Sequence, residues 1–128
     1  MMKIKKPTAD SKCTGRSPCP VACALDLIGD RWTMVVIRDL FFGKKRYADF
    51  QSSAEAIPTN ILAERLKRLE KAGLISRTPY QTNPPRYEYA LTESGRELSP
   101  VLRSLAEWGV RFSPDPVEAA ARVRKRFA

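Results

Sequence analysis

The chain has 128 residues, of which 43% are hydrophobic and 29% are charged, a composition that predicts one globular domain with short tails. Its 23 Lys and Arg residues against 14 Asp and Glu residues give a net charge of +9, so nucleic acid, before an anionic membrane, is the expected partner; the alternative is a solvated basic surface. No apolar run approaches the roughly 20 residues of a membrane span, and no apolar stretch follows the basic N-terminus as in a secretory signal, so we expect a cytoplasmic protein that does not bind membranes.

The residue types that usually carry catalysis or hold metals are missing or scattered. The sequence has no histidine, which removes the commonest general base, the commonest metal ligand and every Ser-His or Cys-His nucleophile pair. Its three cysteines, Cys13, Cys19 and Cys23, lie near the N-terminus at spacings unlike those of a zinc site. The sequence therefore predicts a protein that is not an enzyme and that uses neither a metal nor a cofactor.

The chain divides into three predicted parts. Residues 1–18 are rich in lysine, proline and small polar residues and have little to bury, so we expect a flexible basic arm. Residues 19–112 carry the helical and strand periodicities of a folded domain. Residues 113–128 open with Ser-Pro-Asp-Pro and predict a tail with a short helix from Val117.

Four helices are predicted before the first strand. Pro20 suits the first turn of a helix that Gly29 ends, and Asp30 is a suitable N-cap for the next helix. The apolar residues expected to be buried on that second helix are Trp32, Val35, Val36 and Leu40. The predicted limits of the four helices are Pro20–Ile28, Arg31–Phe42, Tyr47–Ser52 and Pro58–Ala72.

After Gly73 the period of the apolar residues changes from helical to extended. Leu74–Thr78 and Arg86–Leu91 predict two strands joined by a proline-rich loop, which makes a β-hairpin. Thr92 is a candidate N-cap for a long helix that reaches about Phe112. Pro100 lies inside that helix and predicts a kink or a short break.

This order of elements predicts the fold class, mainly α with a small β-hairpin (α+β). A short helix joined by a tight loop to a second helix is the helix-turn-helix layout, and a hairpin directly after it is a wing. A helix with its side chains is about 10–12 Å across and can enter a DNA major groove about 12 Å wide. The predicted architecture is therefore a winged helix-turn-helix.

The helix over Pro58–Ala72 has one apolar and one polar face. Leu62, Leu66 and Leu69 cluster within about 60° at 100° per residue. The polar face and the hairpin supply the candidate DNA contacts Thr59, Asn60, Ala63, Glu64, Lys67, Arg68, Arg77 and Arg86. Asn pairs with adenine, Lys or Arg pairs with guanine, and an Arg beside a stiff Pro84-Pro85 tip suits a narrow minor groove. The alternative is a solvated helix face and an ordinary hairpin.

The last predicted helix carries more apolar side chains than a small winged domain can cover. We expect a homodimer formed through these side chains. They are Leu98, Val101, Leu102, Leu105, Trp108 and Phe112. The alternative is that Trp108 and Phe112 pack against their own domain.

Five sequence segments, taken in order, closely resemble the HxlR-type winged helix-turn-helix transcriptional regulators, relatives of the MarR group. The segments are Cys19-Pro20, Leu25–Trp32, Ile57–Leu74, Pro84–Thr92 and Leu105–Trp108. The resemblance covers about residues 19–112 and implies a regulator that binds a pseudo-palindromic operator in double-stranded DNA as a homodimer. It implies a recognition helix at Pro58–Ala72, a wing at Leu74–Leu91, and a dimer interface made by Pro20–Ile28 and Glu93–Phe112.

Several regulators of this type sense oxidants or electrophiles through the cysteine of the Cys-Pro pair, which is Cys19 here. A thiol at a helix N-terminus, with Lys12 and Arg16 upstream, is expected to have a lowered pKa. Cys23, one helical turn further on, and Cys13 are the candidate partner thiols. The alternative is that these cysteines only pack. A small-molecule signal is a second candidate, but no set of residues indicates a ligand.

A second interpretation keeps the winged-helix fold and makes it a scaffold for protein interaction or for non-specific nucleic-acid binding. The two interpretations differ in their specificity. A regulator binds its operator orders of magnitude more tightly than random DNA, whereas a non-specific binder shows only a steep dependence on salt.

Overall fold

A computed structural model describes residues 16–127 of the chain. The predicted arm, with Cys13, therefore lies outside the described residues except for residues 16–18. The chain divides after Arg96 into two compact units. The first unit contains α1 (Pro20–Ile28), α2 (Thr33–Phe41), α3 (Tyr47–Gln51), α4 (Thr59–Lys71), β1 (Ile75–Thr82), β2 (Pro85–Leu91) and α5 (Glu93–Arg96). The second unit contains α6 (Ser99–Val110) and α7 (Pro116–Phe127).

The order of these elements confirms the predicted fold class, a mainly helical winged helix-turn-helix with one hairpin. Helices α3 and α4 form the helix-turn-helix, and β1 and β2 form the wing. The core of the first unit lies between α2, α3, α4 and β1. Its most deeply buried apolar side chains are Val36, Ile37, Phe50, Leu62, Leu66, Leu69 and Ile75. The predicted apolar face of the helix that became α4 is thereby confirmed.

The buried face of α2 differs from the prediction. Trp32 and Val35 are only half-buried, whereas Thr33 and Ile37 are fully buried. The helix begins at Thr33, two residues later than expected, and its buried stripe follows from that residue at helical spacing. The sequence did not indicate this stripe because Thr33 is polar. The Thr33 hydroxyl can be buried because it donates a hydrogen bond to Asp30.

The hairpin is longer than predicted and is held at its base by a third stretch of chain. β1 and β2 pair antiparallel with Ile75 opposite Leu91. The register is irregular next to Pro79, where a residue without an N–H is tolerated. The backbone N–H of Tyr89 donates to the carbonyl of Lys45 (2.7 Å). The segment before α3 is therefore fixed to the wing.

Thr92 and Gly95 join the end of the hairpin to α5. The Thr92 amide donates to the Leu74 carbonyl (3.0 Å), and its hydroxyl donates to the Gly73 carbonyl (2.7 Å) and accepts from the Gly95 amide (3.1 Å). A Cβ built on Gly95 would lie 2.0 Å from the Leu74 carbonyl oxygen, so only glycine fits. The predicted N-cap at Thr92 is confirmed.

The long helix predicted after Thr92 is broken into α5 and α6. The break lies at Glu97 and Leu98, because Pro100 occupies the first turn of α6, where no amide donor is needed. No helix among residues 16–127 is long and apolar enough to cross a membrane.

The second unit is a pair of packed helices, α6 and α7. α7 has 12 residues, more than the short helix expected from the sequence. Its N-terminus is capped by the carboxylate of Asp115, which accepts from the Glu118 amide (3.1 Å). Its C-terminus is bound by Arg103 of α6, whose guanidinium donates to the Phe127 carbonyl.

Candidate nucleic-acid interface

α4 presents a continuous polar face to solvent on the side opposite its buried leucines. Asn60, Ala63, Glu64 and Lys67 are all exposed and follow one another at helical spacing. Thr59, also exposed, begins the helix. Five of the six candidate contacts that the sequence placed on this helix therefore share one accessible surface, which we call the α4 polar face.

The start of α4 is fixed by α3. The Tyr47 hydroxyl donates to the Thr59 carbonyl (2.7 Å), and the Gln51 side-chain amide donates to the Thr59 hydroxyl (3.3 Å). Burial raises the pKa of Tyr47, so its phenol keeps the proton that it donates. These contacts set the angle between the two helices of the helix-turn-helix. The sequence analysis missed them, although Tyr47 and Gln51 lie one turn apart on a predicted helix.

Asp30 connects the start of α2 to α4. Its carboxylate accepts the backbone N–H groups of Trp32 (3.1 Å) and Thr33 (3.2 Å) at the start of α2, although Trp32, and not Asp30 as predicted, occupies the N-cap position. The same carboxylate binds Arg65 Nε (2.7 Å) and Arg68 Nη2 (2.9 Å). We refer to Asp30, Arg65 and Arg68 as the α4 clamp. Charge-assisted hydrogen bonds of this kind are among the stronger polar contacts in proteins.

Arg68 is consequently turned away from the α4 polar face, where the sequence analysis expected it. Its Nη2 also donates to the Thr33 hydroxyl (2.8 Å) and the Leu27 carbonyl (3.4 Å), and its buried Nε has no hydrogen-bond partner among the described residues. One helical step of about 100° separates it from the exposed Lys67. Because acceptors within the protein already hold this guanidinium, we assign Arg68 to the scaffold of the site.

The clamp carboxylate is charged at every physiological pH. Partial burial opposes ionisation of Asp30, but the hydrogen bonds from Thr33, Arg65 and the Trp32 amide outweigh it and hold the pKa of Asp30 well below its usual range. The hydrogen bond to Asp30 likewise raises the pKa of Arg65. The clamp is thus a permanent ion triplet that places two successive turns of α4 against the α1–α2 junction.

A second ion cluster holds the loop between α3 and α4 without touching α4. Arg38 donates to both carboxylate oxygens of Glu55 (2.7 and 2.8 Å) and to Asp39 (2.9 Å). Asp39 is only 3% exposed and also accepts from the Ser53 hydroxyl. The bond from Arg38 lowers the pKa of Glu55 to about 2. This cluster resembles the clamp in chemistry and differs from it in location.

The two candidate arginines of the wing have different surroundings. Arg86 is exposed near the tip, opposite Gln81, whose side-chain amide donates to the Pro84 carbonyl (3.1 Å). Arg77 binds Glu70 (3.1 Å) and lies over the ring of Tyr87, 4.2 Å from its centre. Arg86 therefore projects from an internally braced tip, whereas Arg77 is held against the base of the wing.

Arg46 also belongs to the base of the wing, and the sequence analysis missed its role. Its guanidinium lies 3.9 Å from the ring centre of Tyr80 and binds Glu88 (3.2 Å), which Lys45 also approaches (3.6 Å). The sequence predicted only a basic turn at Lys44–Arg46. The pairing could not be read from the sequence because Arg46 and Glu88 are far apart in the chain.

Cys19 is the N-cap residue of α1 and, among residues 16–127, a free and exposed thiol. Hydrogen bonding from the backbone N–H groups of Ala22 and Val21 lowers the pKa of this thiol. Arg16 was also expected to lower the pKa of Cys19, but in the structure it binds Asp26 (2.6 Å). Lys12 lies outside the described residues.

Cys23 differs from Cys19 in its oxidation state. Its sulfur is disulfide-bonded, and Cys13 lies outside the described residues. A disulfide sulfur has no thiolate, so Cys23 can serve as a partner thiol for Cys19 only after reduction.

The residues expected at a dimer interface are mostly exposed. Val101, Leu105, Trp108 and Phe112 are 40%, 49%, 59% and 68% exposed, and the rings of Trp108 and Phe112 stack at 4.3 Å. Leu98 is half-buried. Leu102 is buried within its own chain, so we assign it to the protomer core. On α1, Val21 and Leu25 are also more than half exposed. Exposed apolar surface of this extent marks an interaction site.

Comparison with known proteins identifies the family. Residues 27–116 match the family model described as HxlR-like helix-turn-helix. The chain belongs to this family. Relatives of the chain are named HTH-type transcriptional regulators.

Two of these relatives show the extent of the similarity. YdeP of Bacillus subtilis is 37% identical over 111 residues, which cover 85% of this chain and 87% of YdeP. A regulator of Mycobacterium tuberculosis is 38% identical over 104 residues, 81% of this chain. The match spans 65% of the length of that mycobacterial regulator.

Solved structures of the family share the fold. The redox regulator HypR in its oxidized form has a TM-score of 0.67 and 37% identity, covering 76% of this chain and 99% of HypR. The reduced form of the transcriptional regulator YodB from B. subtilis has a TM-score of 0.61 and 32% identity, covering 77% of this chain and 97% of YodB.

The substitution Asp30→Asn tests whether the clamp holds α4. The asparagine side-chain oxygen can accept the same two amides at the start of α2, while the two arginines lose their counter-charge. We expect the free energy of unfolding to fall by about 1–3 kcal/mol and the amides of α4 to exchange with deuterium faster. Glu55→Gln is the matched control. It should lower stability while leaving α4 exchange unchanged, and equal acceleration of α4 exchange by both variants would contradict a specific role for the clamp.

Acid should weaken both ion clusters. A carboxylate whose folded-state pKa lies below its ordinary value, 3.8 for Asp30 and 4.5 for Glu55, stabilises the fold above that ordinary value and loses this contribution as the pH falls. We therefore expect the free energy of unfolding, measured in urea, to decrease from about pH 4.5 towards pH 2. Asp30→Asn and Glu55→Gln should each show a shallower decrease, and an unchanged pH profile in both would exclude this linkage.

Proposed function

We propose that the protein is a sequence-specific regulator that binds a pseudo-palindromic operator in double-stranded DNA as a homodimer. The observation that carries this proposal is the α4 polar face, which is accessible along its length while α3 and the clamp fix its direction. Reading base edges requires side chains held in a constant position, and a helix fixed at two points meets that requirement.

In this proposal α4 enters the major groove with its polar face towards the bases. Asn60 and Lys67 have the chemistry to pair with adenine and guanine, while Thr59, Ala63 and Glu64 lie beside the bases. Gln51 is a further candidate, since it is exposed beside Thr59 at the end of α4 that leads into the groove. Arg86 would reach the neighbouring minor groove or its phosphates from the wing tip.

The exposed apolar face of α6 supports the dimer. Val101, Leu105, Trp108 and Phe112 would be covered by a second copy, and Val21 and Leu25 are exposed apolar side chains of α1 in the first unit. Two copies related by a two-fold axis would present two α4 helices to half-sites about 10–10.5 base pairs apart, or a small multiple of that distance. The regulator would act in the cytoplasm, where its operator is accessible.

Sensitivity to oxidants is the signal that we propose. Cys19 supports it through its exposure and lowered pKa, and the structural neighbour HypR is named a redox regulator. The thiolate would attack one oxygen of hydrogen peroxide, breaking the O–O bond to give a sulfenic acid and hydroxide. The thiol of Cys23 after its reduction, or a thiol of Cys13 or of a second copy, would then condense with it, forming a disulfide and releasing water. Electrophiles such as quinones would alkylate the same thiolate.

The second candidate is a scaffold for protein interaction or for non-specific nucleic-acid binding. The net charge of +9 supports non-specific binding as well as operator binding. Sequencing of the genomic DNA that the protein retains at moderate salt separates the two functions. An operator predicts a recurrent symmetric motif, whereas a scaffold predicts fragments without a common sequence.

We expect Asn60→Ala and Lys67→Ala each to weaken binding to the recovered operator by roughly 1–3 kcal/mol and to affect random DNA less. Arg86→Ala should weaken binding to both duplexes, because a minor-groove or phosphate contact discriminates less. Fluorescence anisotropy with the two duplexes measures the difference. Unchanged affinity in a folded Arg86→Ala protein would show that the wing tip does not contact DNA.

Removing Trp108 should separate the dimer. Trp108→Ala deletes the largest exposed apolar side chain of α6 and the stack on Phe112, so we expect a shift towards monomer in sedimentation velocity at micromolar concentration. Val117→Ala is the control, since Val117 is 79% exposed and lies on α7. A wild-type protein that sediments as a monomer would remove the dimer from the proposal.

Mild peroxide should change the affinity of the wild-type protein for its operator, and Cys19→Ser should abolish the change, because serine forms no sulfenic acid. Cys23→Ser should have a smaller effect if Cys23 only supplies the partner thiol. Binding measured before and after treatment with peroxide, and after reduction, tests this prediction. If peroxide changes the operator affinity of Cys19→Ser as it does that of the wild type, Cys19 is not the sensor and the cysteines only pack.

A further inference from the structure

α7 carries a concentrated positive charge that the helix-turn-helix does not use. Four of its last six residues are cations, Arg122, Arg124, Lys125 and Arg126, and all four are exposed. All but the first residue of α7 lie beyond the part of the chain that matches the family model, which ends at residue 116. The family match therefore assigns no role to this helix.

Three of these cations lie on one side of α7. At 100° per residue, Arg122, Lys125 and Arg126 fall within an arc of about 100°, which we call the α7 basic face. The half-buried residues of the helix, Ala119, Ala120, Val123 and Phe127, occupy a different arc. Packing of α7 thus leaves the basic face open to solvent.

The end of the helix accounts for only part of this charge. Arg124, Lys125 and Arg126 lie in the last turn, where cations interact favourably with the helix dipole, but Arg122 lies before that turn, and Arg103 of α6 already binds the carbonyl of Phe127. The ion pair between Arg122 and Glu118 (3.0 Å) joins side chains that are 78% and 60% exposed, and a contact of that kind exchanges readily for another anion.

We propose that the α7 basic face binds the phosphate backbone of DNA as a sequence-independent contact, in addition to the α4 polar face. Phosphates fit because a row of cations on one helix face matches the regular charges along a duplex and needs no specific geometry. An anionic membrane fits less well, since interfacial helices bury an apolar face in lipid, whereas the apolar residues of α7, apart from Val117, are half-buried or small. This contact rests on DNA being the ligand but not on operator specificity.

The test is the salt dependence of binding to a random-sequence 30-base-pair duplex, measured by anisotropy from 50 to 300 mM salt. Each lost phosphate contact makes the plot of log K against log salt less steep by about 0.9, so we expect Lys125→Gln with Arg126→Gln to flatten the slope by about 2 for each protomer that contacts the duplex. Lys125→Arg with Arg126→Lys keeps the charge and should keep the wild-type slope.

A second pair of variants separates a local contact from the total charge. Arg96→Gln with Arg111→Gln removes the same charge from exposed positions outside α7 and should leave the slope near that of the wild type. A wild-type slope in the α7 variant, or equal flattening in both pairs, overturns the proposal. The proposal is also overturned if the α7 variant keeps the wild-type salt dependence of DNA binding but no longer binds phosphatidylserine vesicles. That result would make a membrane the partner.

The outcome is distinct from that of the proposed function. Binding of the operator recovered from genomic DNA, relative to the random duplex, should be the same in the α7 variant and the wild type. If the wild type shows no operator preference while the α7 variant still flattens the slope, the α7 contact stands and operator specificity fails. If the wild type prefers its operator and the α7 variant keeps the wild-type slope, operator specificity stands and the α7 contact fails.

Discussion

A single carboxylate, that of Asp30, connects the parts of this winged helix that must keep a constant relationship. It accepts two backbone N–H groups at the start of α2, and it binds two arginines from successive turns of α4. Removing either side of such a partly buried ion group leaves charges without partners, which costs more than the intact group contributes. The direction of α4 therefore depends on a residue that contacts neither the core leucines nor the solvent-facing side of the helix.

The buried leucines alone would not fix that direction. Apolar packing is not directional, and three leucines on one face permit small rotations and shifts of a helix against its neighbours. The hydrogen bonds from Tyr47 and Gln51 to Thr59 hold the first turn, and the clamp holds the middle. Burial thus supplies most of the stability, whereas the polar contacts define the geometry of the α4 polar face.

The sequence predicted the order of elements well, because each one has a local signal. Gly73 ends α4 with a positive φ of 79°, Thr92 caps α5, and Pro100 opens α6, and each of these features depends on one residue and its immediate neighbours. The leucine stripe of α4 followed from periodicity. The sequence could not show the partner of each charge. Arg68 and its neighbour Lys67 look equivalent in the sequence, and only the fold shows that Arg68 faces Asp30 whereas Lys67 faces solvent.

The same limit explains why Arg46 and Arg77 were not distinguished from Arg86. All three are arginines on or beside the hairpin, but two of them are bound to glutamates and stacked on tyrosines at its base. Long-range pairings of this kind leave no periodic pattern, since the partners lie on different elements. A basic residue in a nucleic-acid-binding protein can therefore either contact nucleic acid or pair with an acceptor of its own chain. The acceptors that surround it in the fold determine which of the two it does.

Arg68 also connects α1 to α4. Its Nη2 reaches the Leu27 carbonyl in the last turn of α1 as well as Asp30 just beyond that helix, while Cys19 caps the opposite end of α1. α1 has only nine residues, so its two ends move together as one rigid segment. Two acceptors of Arg68, the Leu27 carbonyl and the Asp30 carboxylate, therefore lie at the end of α1 opposite Cys19. The guanidinium that holds α4 in place is thus also a contact that joins α1 to α4.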